Sequence, residues 1–272
     1  MYRLFNNILI PVDLRREAAP VVEKAMNIAT RFNCDIHLLY IMKKRFWSMN
    51  SHLPQRLAEK KLQLHNLREK YSPSIGKGCL LHTQVWEGDL EHSIAEYAAI
   101  HHIDLILAQK PASIIPGINS GLNIDRLAAK TNAPVLSLLP HPSFRGIKNI
   151  VVPVSGYLPT RRIMLAIYLA KNFNSAIHLI SLTGSFSSME SKSHAYLEKA
   201  YQLLRENTNL PIRCKTIIGK NIADTALDYA KRIDASLILV NQGLESLLPG
   251  PSNPMFAKFL FKKSSIPVIT VA

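Results

Sequence analysis

The sequence has few of the features that mark secreted, zinc-binding or membrane proteins. Its three cysteines, Cys34, Cys79 and Cys214, are scattered and form no CxxC pair, which argues against a disulfide framework and against a cysteine-based zinc site. No apolar run approaches the ~18 residues of a membrane-spanning helix. The apolar stretch near the N-terminus ends at Asp13, before it reaches the ~7–15 residues of a signal-peptide core. We therefore expect a cytosolic protein with reduced thiols.

Acidic residues are also scarce. The 272 residues include 33 lysines and arginines against 19 aspartates and glutamates, which gives a formal net charge of +14. Charge of this sign attracts nucleotides, nucleic acids and anionic lipid surfaces, but it also serves solubility alone. Residues 43–47 (KKRFW) interleave basic and aromatic side chains. This pattern suits a nucleic acid or a membrane surface, and equally a solvated turn.

The chain contains an internal repeat, which decides its organisation. Residues 7–13 (NILIPVD) return at 149–155 (NIVVPVS), and residues 29–38 (ATRFNCDIHL) return at 170–179 (AKNFNSAIHL). Later matches, such as Tyr97 with Tyr229, are 132 residues apart instead of 141 or 142. One length change therefore separates two homologous halves. We predict domains at 1–140 and 146–272, joined by a short proline-containing linker and packed as an intramolecular pseudo-dimer.

Each half alternates short apolar runs with helical patterns of apolar residues. Such alternation predicts an α/β fold with a parallel sheet and right-handed crossovers. The apolar runs predict buried strands, apolar on both faces, at 8–12, 36–41, 80–86, 105–108 and 135–138, and in the second half at 150–154, 177–182, 212–218, 237–240 and 268–271. Between them, helical spacing joins Val22, Ala25, Met26 and Phe32, and a further helix is predicted over residues 122–130.

Four short motifs carry a family resemblance. They are residues 8–13 (ILIPVD), Gly88-Asp89 before the helix that holds Ile94 and Tyr97, residues 104–107 (DLIL) and residues 133–135 (APV). In this order, and with matches in both halves, the sequence resembles the universal stress protein family in its tandem form. The resemblance implies a stress-response role and two Rossmann-like domains of the adenine nucleotide alpha hydrolase-like type. Each would have five parallel strands, and the final strands of the two halves would be in contact.

Many members of this family bind ATP in a loop of the pattern Gly-x-x-Gly-x9-Gly-Ser/Thr after the fourth strand, and the resemblance implies that Val12 and Asp13 hold the adenosine part. Glycines let backbone N–H groups approach phosphates, and a following helix N-terminus adds positive potential. Counted back from Pro134, the loop positions of the first half fall on Ala108, Pro111, Gly121 and Leu122. Those of the second half fall on Asn241, Leu244, Pro254 and Met255, with Ser155 in place of Asp13. The loop is degenerate in both halves, and we expect the second half to have lost the site.

An altered phosphate site remains open in the first half. The candidate residues after the fourth strand are Lys110, Ser113, Gly117, Ser120 and Gly121. A lysine, two hydroxyls and two glycines suit a phosphate, although serine and glycine are also the ordinary residues of surface turns. With Val12 and Asp13, these residues form the predicted binding site for ATP, another adenine nucleotide or a different small anion. No metal is predicted.

The sequence carries no motif of an established catalytic class, such as GxSxG, HExxH or GxxxxGK[ST]. The histidines at 82, 92, 101 and 102 lack the spacing of metal ligands, whereas His37 and His178 recur at one repeat position, which indicates a shared structural role. The leading hypothesis is a non-enzymatic binding or signalling module. The alternatives are an ATP-binding protein with weak hydrolysis and a basic adaptor for nucleic acid or membranes. A protein partner, and either a monomer or a further homodimer, are compatible with each.

Overall fold

Alternating apolar strands and amphipathic helices build one α/β arrangement twice. The chain divides into two compact units, Met1–Ser143 and Phe144–Ala272. The domain limits 1–140 and 146–272 stay a prediction, because the linker between them lies outside the described residues. The computed structural model describes residues 5–14, 19–43, 53–75, 77–109, 122–138, 146–154, 156–183, 190–218, 222–241 and 264–272.

The first unit is a parallel five-stranded sheet with helices between its strands. The strand order across the sheet is β3-β2-β1-β4-β5, so the chain adds β2 and β3 on one side of β1 and then β4 and β5 on the other. This confirms the predicted fold class. The elements are β1 (Asn7–Pro11), α1 (Ala19–Phe32), β2 (Asp35–Met42), α2 (Leu53–Tyr71), a 3-10 turn (Ser72–Ser74), β3 (Leu81–Glu87), α3 (Leu90–Ile100), β4 (Leu105–Gln109), α4 (Ile124–Thr131) and β5 (Val135–Leu138).

Burial follows the apolar patterns of the sequence. In β1, Ile8, Leu9 and Ile10 are all fully buried, as expected of a central parallel strand covered on both faces. Helix α1 buries Val22 and Met26, which lie four residues apart on one face. Removing this apolar surface from water is the main stabilising contribution to such a unit.

Three of the sequence predictions needed correction. The helix predicted over residues 122–130 begins at Ile124, because Asn123 caps it: its side-chain oxygen accepts a hydrogen bond from the N–H of Arg126 at 3.2 Å. The strand predicted from Leu80 begins one residue later and is not buried on both faces. β3 is an edge strand of the sheet, so Gln84 and Glu87 are exposed and Leu80 before it is 59% exposed. The strand predicted as buried over 212–218 is likewise an edge strand in the second unit, and residues 213–216 are exposed.

The second unit repeats this arrangement. Its strands are parallel in the order β10-β9-β6-β7-β8, and no helix among the described residues is long and apolar enough to cross a membrane. The predicted pseudo-dimer packing stays a prediction. The elements are β6 (Asn149–Val154), α5 (Thr160–Phe173), β7 (Ala176–Thr183), α6 (Glu190–Asn207), β8 (Ile212–Ile218), α7 (Ile222–Arg232), β9 (Leu237–Asn241) and β10 (Val268–Val271).

The two units also share individual hydrogen bonds, which different side chains make at equivalent positions. The Cys34 thiol donates to the carbonyl of Phe5 at 2.6 Å, and at the repeat position the Ser175 hydroxyl donates to the carbonyl of Ile147, also at 2.6 Å. The Asp104 carboxylate accepts from the N–H of Asn6 at 2.7 Å. In the second unit, the hydroxyl of Ser236 accepts from the N–H of Lys148 at 3.0 Å.

Candidate functional site

The candidate ligand site of the first unit lies where β1 and β4 end. The ladder between these strands pairs Ile8 with Leu105 and Leu9 with Ile106, while β4 continues beside β5 as far as Gln109. Proline has no N–H to donate, so Pro11 cannot continue the ladder with β4. The strand order also reverses between β1 and β4. Open α/β sheets bind ligands at this switch point, outside the carboxyl ends of the strands.

Val12 and Asp13 follow β1 at this edge, and Val12, predicted as the last residue of the strand, lies just beyond its end at Pro11. The N–H of Val12 donates to the carbonyl of Leu39 at 2.9 Å, which fixes the chain to β2 just before it leaves the sheet. The side chain of Val12 is 8% exposed, and Asp13 is half-buried. A carboxylate in this position is an acceptor for ligand hydroxyls or amino groups.

The other five predicted site residues, Lys110, Ser113, Gly117, Ser120 and Gly121, lie outside the described residues. Chain connectivity alone attaches their segment to Gln109, at the carboxyl end of β4. The predicted site as a whole therefore stays a prediction. Of its residues, Val12 and Asp13 lie at the switch point.

A tight turn at the carboxyl end of β3 lies on the same edge of the sheet. The N–H of Gly88 donates to the carbonyl of Met42 at 3.0 Å, and a Cβ atom at Gly88 would lie 2.4 Å from Oγ of Ser93. Any larger residue here would force the buried side chain of Ser93 to shift. Asp89 then caps α3 by accepting from the N–H of His92 at 3.1 Å. These contacts explain the Gly88-Asp89 motif structurally.

The corresponding edge of the second unit contains an arginine. The ladder between β6 and β9 stops after Val151 and Ile238, two residues before Pro153, as it does before Pro11 in the first unit. Arg162 of α5 is fully buried, and its Nη1 donates to the carbonyl of Leu239 in β9 at 3.5 Å. The arginine thus bonds a strand carbonyl that the proline cannot serve.

A second contact fixes the guanidinium of Arg162. Its Nη2 donates to the hydroxyl of Tyr157 at 3.0 Å, and the guanidinium carbon lies 5.7 Å from the centre of the Tyr157 ring. The repeat position in the first unit is Val21, by the spacing of 141 that also relates Ala29 to Ala170. The second unit therefore holds one of its own side chains at the switch point. This gives the predicted loss of its ligand site a physical basis.

Sequence reasoning missed a group of aromatic side chains near the amino ends of β2 and β3. His37, His82, His101 and Tyr97, here termed the histidine cluster, lie ring against ring. His37 stacks on His82 with 4.5 Å between ring centres, and His101 lies 4.1 Å from Tyr97 and 5.4 Å from His37. Nδ1 of His37 shares a hydrogen bond of 2.9 Å with the Tyr97 hydroxyl.

Burial controls the charge of this cluster. Removal from water, with smaller contributions from His82 and His101, lowers the pKa of His37 to about 4. Burial raises the pKa of Tyr97 to about 12. Both central side chains are therefore neutral at physiological pH. A cavity of about 560 Å³ borders the cluster, and Arg68 and Cys79 also line it.

The second unit contains only half of this arrangement. Nδ1 of His178 and the hydroxyl of Tyr229 share a hydrogen bond of 3.0 Å, which gives His37 and His178 the same role, as their recurrence in the sequence indicated. At the positions of His82 and His101, however, the second unit has Arg213, which pairs with His178 in register, and Ile233. In the sequence, the recurrence of His37 and Tyr97 as His178 and Tyr229 was the signal from which this hydrogen-bonded pair could have been predicted. Within the described ranges, no three His, Cys, Asp or Glu side chains are arranged to hold a metal ion.

A twice-repeated parallel sheet whose order reverses beside its first strand defines a tandem Rossmann-like α/β protein. Residues 4–137 match the sequence model of the universal stress protein family, and this part of the chain belongs to that family, as the motifs predicted. No curated protein matches the sequence significantly.

Solved structures extend the likeness in fold to the second unit. A universal stress protein from Archaeoglobus fulgidus DSM 4304 is similar with a TM-score of 0.77 at 15% identity, covering 98% of this chain and 97% of that one. A functionally unknown protein from Pseudomonas aeruginosa PAO1 has a TM-score of 0.62 at 20% identity, covering 98% and 92% of the two chains. At these identities the likeness concerns the fold.

Proposed function

We propose that this protein is a non-enzymatic stress-response binding module with a single small-ligand site, at the switch point of the first unit. The ligand is an adenine nucleotide or another small phosphate-bearing anion. The observation that carries the proposal is the difference between the two carboxyl edges. The first unit has Asp13 at its open ladder end, whereas the second has the buried guanidinium of Arg162 bonded into β9.

The chemistry of the first edge suits a nucleotide. The carboxylate of Asp13 can accept hydrogen bonds from two neighbouring ribose hydroxyls, and Val12 offers apolar surface to a base. Lys110 and the loop residues Ser113, Gly117, Ser120 and Gly121 would bind the phosphates. The net charge of +14 favours the approach of any such anion.

The test is thermal unfolding of the full chain with millimolar ATP and Mg²⁺, and separately with AMP, for the wild type and Asp13→Ala. A ligand at about 100 times its Kd stabilises the folded state by about 2.7 kcal/mol, which raises the melting temperature visibly. We expect this shift in the wild type and its loss in Asp13→Ala. Asp228→Ala, which removes an exposed carboxylate from α7 of the second unit, is the matched control and should keep the shift.

Two outcomes contradict an adenine-nucleotide site at Asp13. If neither nucleotide shifts the wild type, the first unit holds no adenine nucleotide. If Asp13→Ala shifts as much as the wild type, the ligand binds elsewhere. Measuring phosphate release from ATP separates the binding module from the hydrolytic alternative. An enzyme that hydrolyses ATP at this site releases phosphate as the wild type and not as Asp13→Ala, whereas a binding module releases none in either case.

A further inference from the structure

The cavity beside the histidine cluster lies away from the proposed ligand site. His37 is the third residue of β2 and His82 the second of β3, so the cavity lies towards the amino ends of the strands, whereas Asp13 follows the carboxyl end of β1. Its volume of about 560 Å³ is within the range of ~300–1,000 Å³ in which proteins bind small organic molecules. The first unit therefore has room for a ligand at each edge of its sheet.

The charge of this cavity favours an anion. Arg68 of α2 lines it and is exposed, and within the part of the chain that the structure describes its guanidinium has no hydrogen-bond or ion-pair partner. No described carboxylate lines the cavity. Asp35 lies 3.6 Å from Nε2 of His82 but outside the lining, and it accepts a hydrogen bond from the N–H of Leu80 at 2.9 Å. One permanent positive charge suits a single carboxylate, which the forked donors of arginine match.

Apolar side chains line the same cavity. Leu80 is 59% exposed, Ile75 is half-buried and Leu81 is buried. Covering such apolar surface removes it from water and is favourable. A guanidinium beside exposed apolar surface therefore suits an anion that has an apolar body, rather than an inorganic ion.

The wall of the cavity also contains a buried polar atom without a partner. His37 is 6% exposed, and its Nε2 has no hydrogen-bond partner among the described residues. Leaving a buried nitrogen unpaired costs free energy, which a ligand oxygen bonded to it would recover. Because the atom is shielded, this bond requires a neighbouring ring to move, and the ring of His82, which stacks on His37, is partly exposed.

We propose that this cavity binds a small organic acid, with the carboxylate of the ligand on Arg68 and its apolar body against Leu80 and Ile75. The hydrogen-bonded side chains of His37 and Tyr97 form a neutral wall behind it. The second unit has Arg213 in place of His82 and, by the same spacing of 131, Pro211 in place of Leu80. The site is therefore confined to the first unit.

Isothermal titration calorimetry of the full chain with octanoate, acetate and 1-octanol tests this proposal. Octanoate should bind at least about tenfold more tightly than acetate, which lacks the apolar body, or 1-octanol, which lacks the charge. Arg68→Ala should weaken octanoate binding by about tenfold, and Leu80→Ser by about fivefold. The matched controls Arg56→Ala and Leu62→Ser remove an exposed arginine and an exposed leucine of α2 that do not line the cavity. Both should bind octanoate as the wild type does.

Nuclear magnetic resonance locates the ligand independently of the variants. Octanoate should shift the amide signals of residues 79–84 and 97–101 most and leave those of 211–216 unchanged. Asp13→Ala should keep these shifts, so this proposal and the nucleotide site of the first unit are tested separately.

Three results overturn the proposal. Millimolar octanoate that produces neither binding heat nor amide shifts excludes the site. Equal affinities of Arg68→Ala and Arg56→Ala, with both variants folded by circular dichroism, show that only the net charge of the protein matters. Shifts that concentrate outside 79–84 and 97–101 place the ligand elsewhere.

Discussion

Asp13 and Arg162 give two homologous edges different chemistry. Asp13 places a carboxylate just after β1, beyond the point where the ladder between β1 and β4 ends. Arg162 brings a guanidinium into the protein interior, which is costly unless its donors are paired. Its bonds to Leu239 and Tyr157 offset that cost and leave it fully buried. One arginine thereby gives a physical reason why the proposed ligand site is confined to the first unit.

We expect Arg162→Ala to destabilise the second unit by about 2–4 kcal/mol, since it leaves a cavity and an unpaired carbonyl at Leu239. Chemical unfolding followed by far-UV circular dichroism measures this loss. Arg161→Ala is the matched control, because the neighbouring Arg161 is exposed and donates a hydrogen bond to the carbonyl of Ala272 at the C-terminus; it should cost less than about 1 kcal/mol. Equal losses for the two variants would contradict the role assigned to Arg162.

At the level of elements, helix α3 runs from the edge of the first sheet at the carboxyl ends of its strands to the edge at their amino ends. Its N-terminus begins at the Gly88-Asp89 turn beside β2, and its C-terminus carries Tyr97 and His101 of the histidine cluster. Between β3 and this helix, the backbone of Gly88 closely approaches the side chain of Ser93. The sequence motif at 88–89 is therefore explained by helix geometry and needs no ligand.

Gly88→Ala should destabilise the protein by about 1–2 kcal/mol, because the new methyl group would overlap the buried hydroxyl of Ser93. Urea unfolding of Gly88→Ala, Ser93→Ala and the double variant gives the coupling between the two positions. We expect the double variant to be more stable than the sum of the single losses. Strict additivity would show that the contact does not limit the turn.

For the whole molecule, the charge of +14 raises the question of polyanion binding. The segment that carried this hypothesis, residues 43–47, is described only at Lys43, which is exposed. Charge that is spread over a surface attracts polyanions weakly and loses them as salt rises. The proposed small-ligand function needs no more than this general attraction.

Binding of a DNA duplex, measured by fluorescence anisotropy, should therefore be weak and should fall by about 10³-fold or more between 50 and 200 mM salt. Replacing Lys43, Lys44 and Arg45 by Ala should change it by less than about threefold. Tight binding at 150 mM salt that the triple variant abolishes would instead support the basic adaptor. Vesicles of anionic lipid, tested in parallel, distinguish a membrane surface from nucleic acid.

Local signals determined most of the fold. The internal repeat required one architecture twice, and the apolar runs marked the strands to within two residues, because a parallel strand buried on both faces needs an unbroken apolar stretch. The same runs could not show that β3 and β8 are edge strands, since edge position depends on which strands pair. The helix was predicted to begin at residue 122 instead of Ile124, because the pattern of apolar residues carries no information about the hydrogen bond by which Asn123 caps it.

The candidate site divides in the same way. A family motif and its position after a strand were enough to predict Val12 and Asp13 at the carboxyl edge. The sequence did not show that Arg162 enters the corresponding place in the second unit, or that His37, His82 and His101 meet. These residues are far apart along the chain, and only strand pairing and helix packing bring them into contact. Sequence determined what each element is, and tertiary structure decided which side chains from different elements share one environment.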